Sequence, residues 1–158
     1  AGFRFRAALV LAFGPALRLA YRSELARAVP RGFAFELASR LERGFGIHPN
    51  RRNPLARALF GLPSSPTPAH RIEVEHAEVL SYLLAQRPRS FDGFAFSNVT
   101  EGASPLFRDE LLAAARAAAR PGATAVLRTL GRPRSQEDAS RAATDRALIW
   151  GGIEVVTF

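Results

Sequence analysis

The chain of 158 residues contains no cysteine, no methionine and no lysine. Without cysteine there is no disulfide, no thiolate nucleophile, no Cys-ligated zinc and no Cys-held iron–sulfur cluster. Without lysine, all 22 basic residues are Arg, against 14 acidic residues, and the formal net charge is +8. With Ala, Gly and Pro abundant, this is what a high-GC coding bias produces with no functional demand. A surface that attracts nucleic acid or another polyanion is the competing reading. Long apolar runs are also missing: none reaches the roughly 18 residues of a spanning helix. The run Ala7–Phe13 behind Arg4 and Arg6 resembles a signal peptide only superficially, because Arg18 and Arg22 interrupt it and no small-residue cleavage site follows. A cytoplasmic protein is therefore expected. The chain begins at Ala1 without a Met and ends inside an apolar run at Phe158, so a piece of a longer protein is expected.

What is present is enough for one domain with a real core: 47% of the residues are hydrophobic. Residues 3–28 carry Leu9, Val10, Phe13, Leu17 and Tyr21 at helical spacing, with a kink expected at Gly14-Pro15. Residues 33–43 predict a second helix that Gly44 ends as a cap. One or two helical turns are expected in 54–61. The stretch Leu62–Pro68 has the composition of a linker. Val74–Gln86 predicts a helix with Glu-rich first turns, and residues 136–143 a short one. The tail IEVVTF predicts a terminal strand. The domain reading is a helical segment 1–62, a linker 63–73 and an α/β unit 74–158.

The stretch from Phe91 to Arg128 carries the functional signal. Asp92 opens an apolar run to Phe96, which ends on a polar tip, Ser97-Asn98. A Gly/Ser/Pro loop, an Ala-rich helix, Pro121-Gly122 and the run Ala123–Leu127 follow. Leu111, Leu112 and Ala115 are placed on the sheet, and Arg108, Arg116 and Arg120 toward solvent. This strand–helix–strand order puts Ser97 and Asn98 at the carboxyl end of a parallel strand, where open α/β sheets bind ligands. The Asn98 amide is both donor and acceptor, and so suits orientation of an amino or hydroxyl group. Glu101, just past the tip, is a candidate general base or a partner for Arg. The alternative is that Ser97 and Asn98 only cap the strand and start the turn.

The segments FDGFAFSNVTEGAS, RPGATAVLRTLGRP and DRALIWG resemble the C-terminal half of bacterial S-adenosylmethionine:diacylglycerol 3-amino-3-carboxypropyltransferase-like proteins. The resemblance covers residues 74–158 and implies part of a Rossmann-like, class I methyltransferase-type sheet. It implies S-adenosylmethionine as cofactor, with Ser97, Asn98 and Gly102 on the cofactor side and Asn98 and Glu101 in catalysis. Arg128, Asp145, Arg146 and Trp150 would lie toward the acceptor or support the sheet edge. The implied reaction moves an aminocarboxypropyl group to a lipid hydroxyl in betaine-lipid synthesis. Implied partners are a lipid or small-molecule acceptor and a peripheral membrane contact, and nucleic acid is set aside. An ordinary methyltransferase, or a non-enzymatic Arg-rich module for protein or nucleic acid, are the rival readings.

One departure stands out. The class needs a strand leading into a Gly-rich loop, because a Cβ there would bar the close backbone approach to the cofactor. Gly44-Phe45-Gly46 follows a helix-like segment instead, so the main cofactor loop is expected outside these residues. His70, Glu73 and His76 share helical spacing but lack further ligands, and no metal is expected. Arg4, Arg6, Arg18 and Arg22 are read as the solvated face of an amphipathic helix, with a helix laid on an anionic membrane as the alternative.

Overall fold

The computed structural model describes residues 3–12, 32–62 and 71–158. Among them are six α-helices and a three-stranded mixed sheet, which makes the fold α/β. Helix α1 is Phe3–Leu11; the rest of the expected first helix, including Gly14-Pro15, lies outside the described residues, as does the linker from 63 to 70. Helix α2, Phe33–Ile47, buries Phe33, Leu37, Arg40 and Gly44 along one stripe. It packs against α1, and the Glu42 carboxylate takes two hydrogen bonds from the Arg6 guanidinium, the Nε one at 2.7 Å.

The expected cap at Gly44 is corrected. The helix runs on to Ile47, and Gly44 is a contact glycine: a Cβ there would overlap the Leu148 side chain. A 3-10 turn, Asn50–Arg52, leads to helix α3, Pro54–Leu59, whose first turn is capped by Asn53.

Residues 71–78 are exposed and non-helical, and helix α4 is only Val79–Leu84. The expected start at Val74 is too early because Glu78 is the cap. Its carboxylate accepts from the Leu80 and Ser81 amides, at 2.9 and 2.7 Å. Strand β1 is Phe91–Ser97 and helix α5 is Pro105–Ala118. Ser104 caps α5 through the Phe107 amide at 3.1 Å, and Pro105 takes the first position, where no amide hydrogen is needed. Strand β2 is Ala119–Thr129, helix α6 is Gln136–Thr144 and strand β3 is Gly152–Thr157.

The sheet order is β1-β2-β3, parallel then antiparallel. The parallel pair requires a crossover, and α5 supplies it. From its buried stripe, Leu111, Ala114 and Ala115 meet Phe94, Phe96, Ala123, Ala125 and Leu127 in the core. Alanine on both sides lets helix and sheet approach closely, and the Phe94 ring stacks on Phe96 with centroids 5.8 Å apart. Leu111 is fully buried, as expected.

Pro121-Gly122 is not the turn between helix and strand. β2 is already paired at Ala119, and the register jumps from Phe91↔Ala119 to Gly93↔Thr124, so Pro121-Gly122 is the crest of a bulge inside the strand. Gly122 takes φ 83°, a left-handed conformation that favours glycine, and donates to the Phe158 carbonyl at 2.7 Å.

No helix among the described residues is long and apolar enough to cross a membrane.

Candidate functional site

The carboxyl ends of β1 and β2 lie side by side. Ser97 is in register with Arg128, and the Asn98 amide donates to the Arg128 carbonyl at 2.9 Å. Asn98 then leaves the sheet in a left-handed conformation, φ 42°, and its carbonyl accepts from the Glu101 amide at 3.1 Å. Asparagine tolerates this backbone better than most residues. The turn closes through Gly102 at φ 74°. Ser97 and Asn98 are exposed, so both side chains are open to a ligand at the sheet's carboxyl edge.

Glu101 is directed at the loop after β2. Its Oε1 accepts from the Thr129 hydroxyl, the Leu130 amide and, at 3.2 Å, the Gly131 amide. From the other side, Arg40 of α2 donates to the Leu130 and Ile149 carbonyls, both at 2.9 Å, and to the Gly131 carbonyl at 3.4 Å. The Leu130-Gly131 backbone is therefore gripped at its amides by a carboxylate and at its carbonyls by a guanidinium. Arg40 is only 7% exposed. Burial pulls its pKa down, Glu36 opposes this, Arg43 adds to it, and Glu101 again opposes it. The grip is tight on the Gly151 side: a Cβ on Gly151 would collide with the Gly131 carbonyl and the Arg40 guanidinium.

The other expected site residues fall into two places. Trp150 sits at the β2 end, between Ile149, whose carbonyl binds Arg40, and Gly151, whose amide donates to Thr129 at 2.8 Å. Asp145 and Arg146 lie beside α3 instead. Asp145 Oδ1 accepts from the Ala147 amide at 2.8 Å, and the Arg146 carbonyl accepts from Asn53 at 3.0 Å. Arg128 borders a cavity of about 50 Å³ with Thr100, Arg108 and Glu154.

Arg108 does not point freely to solvent as expected. It is paired with Glu154, whose hydrogen bond raises its pKa, against a smaller opposing effect of burial. A wider depression of about 180 Å³ lies where α2 meets the Leu130-Gly131-Arg132 loop, bordered by Phe33, Phe35 and Glu36.

Sequence reasoning missed Arg40 and Asn53. Arg40 had a signal, since it is a charge on the apolar stripe of α2, three residues after Leu37. Asn53, 1% exposed, had only its capping position. Among the described residues no group of three or more His, Asp and Glu could hold a metal ion. His48 Nε2 is instead 2.9 Å from the Ala143 carbonyl, and His76 is exposed; His70 lies outside the described residues. Comparison with family models, curated proteins and solved structures returns no match to this chain.

Proposed function

We propose that this chain is the acceptor-side part of a Rossmann-like, S-adenosylmethionine-dependent transferase. The reading is supported first by the exposed Ser97-Asn98 pair at the carboxyl edge of a parallel strand pair, the place where α/β sheets take ligands. The donor sulfonium is already activated, so the protein's task is alignment of donor and acceptor. Asn98 would hold an acceptor hydroxyl or the donor's amino group, and Ser97 and Gly102 would border the donor. Glu101 acts as a positioning residue: with Arg40 it fixes the loop that forms the far wall of the site. The acceptor is a lipid hydroxyl and the group moved is aminocarboxypropyl. Methyl transfer is the rival outcome, distinguished by product mass. The donor's Gly-rich loop is supplied from outside these residues, and the protein acts in the cytoplasm at the membrane periphery.

The test is donor binding by the full translation product that contains this chain, measured calorimetrically. Stoichiometric binding of S-adenosylmethionine, weakened about tenfold by Asn98→Ala with the fold intact, is expected for one lost hydrogen-bonding group. A full-length product with a strand–Gly-x-Gly segment that binds no adenosyl ligand would overturn the reading.

A further inference from the structure

Two features that Phe3–Leu11 shows on a smaller scale, with Phe3, Phe5 and Leu11 exposed beside Arg4 and an Arg6 paired to Glu42, come together most fully in residues 43–62. Five large apolar side chains are exposed there: Phe45, Ile47 (70%), Leu55, Phe60 (65%) and Leu62. Four arginines are interleaved with them, at 43, 51, 52 and 57, and the stretch holds no Asp or Glu. Ile72 and Val74 are at least as exposed, but they stand among Glu73, Glu75 and Glu78.

The excursion is preformed. Asn50 Nδ2 donates to the Gly44 and His48 carbonyls, both at 3.0 Å, and Asn53 ties the turn to Asn50 and to Arg146. Arg51 and Arg52 are exposed and make no ion pair among the described residues.

We propose that this stretch docks the protein on an anionic lipid surface. Cations there gain from the headgroup potential, and apolar side chains gain only when an apolar phase receives them. That second requirement separates a bilayer from a nucleic acid. Ile47, Leu55 and Leu62 cannot stack on bases as aromatic side chains do, and phosphate contacts alone would leave them in water. The surface is argued from the helical segment and does not depend on the transferase reading. Loss of donor binding would leave it standing.

The experiment is co-sedimentation of the whole chain with vesicles of phosphatidylcholine alone and of phosphatidylcholine with phosphatidylglycerol. Binding is expected only with phosphatidylglycerol present. Arg51→Gln with Arg52→Gln should lower the partition coefficient about 30-fold, from two lost surface cations. Ile47→Ser with Phe60→Ser should lower it at least about tenfold. Arg87→Gln with Arg89→Gln, the same loss of charge in the turn before β1, should change it less than about threefold. Hydrogen exchange on the unsubstituted chain should show new amide protection in 43–62, and none in 71–78, when anionic vesicles are added. Equal losses from both arginine pairs would overturn the proposal, as would binding indifferent to the Ile47 and Phe60 changes. So would an RNA oligomer binding more tightly than the vesicles with the same indifference.

Discussion

Arg40 and Gly151 set the tolerance of the β2 end to change. The largely buried guanidinium satisfies three carbonyls, and such groups are costly when left unpaired. Gly151 is there because nothing larger fits between Arg40 and the Gly131 carbonyl. A graded glycine series follows from the space each one has. Gly151→Ala meets backbone and should cost about 3 kcal/mol, the upper range for overpacking. Gly44→Ala meets the Leu148 side chain rather than backbone and should cost less. Gly46→Ala has nothing within 4 Å and lies inside α2, so it should stabilise by up to about 1 kcal/mol through helix propensity. Denaturant midpoints of the three variants check the order, and a Gly151→Ala protein as stable as the parent would show the grip to be loose. Of these positions only Arg40 was legible in sequence, as a charge on an apolar stripe. Gly44 and Gly151 depend on Leu148 and Gly131, contacts that no local pattern encodes.

The strand–helix–strand element was legible because its signals are local: a Phe-rich run ending in Ser-Asn, a Ser-Pro helix start and an alanine stripe. Its bulge was not, because a bulge exists only relative to the partner strand, and the same Pro-Gly reads as a turn when β1 is not yet placed beside it. Helix α4 starts late for a related reason: Glu78 spends its carboxylate on two amides, and the charges before it are then outside the helix. The α1–α2 pairing includes an ion pair, Arg6 with Glu42, whose pH dependence can be worked out. The Arg6 hydrogen bond holds the Glu42 carboxyl down to about 2, from an ordinary 4.5. A depressed carboxyl stabilises the fold fully above its unfolded value and loses that contribution as pH falls through the folded one. Wild type should therefore melt higher than Glu42→Gln near neutral pH, with the gap closing between about 4.5 and about 2. Melting curves across that window check it, and a gap that stays constant with pH would mean that the ion pair contributes nothing.

Across the whole molecule, the helical segment and the sheet unit are joined by polar groups that each side lacks alone. Arg40 is bonded to the loops flanking β2 and β3, Asn53 to the Arg146 carbonyl, and His48 to the Ala143 carbonyl. Leu148 fills the space left by Gly44. The linker composition of 62–68 suggested two separable parts, and composition carries no information about such cross-connections. Separating the parts would leave Arg40 without its carbonyls and those carbonyls without a donor, so the two should unfold together. Trp150, the single tryptophan, stands at this joint and reports on it. Its fluorescence and the far-ultraviolet helix signal should give one coincident denaturant transition in the wild-type chain. In Arg40→Met, which keeps the apolar stem and removes the three bonds, the Trp150 transition should move to lower denaturant and part from the helix signal. Two separate transitions in the wild type would mean that the joint does not couple the halves, and that Glu101 and Thr129 hold the loop beside Asn98 without help from Arg40.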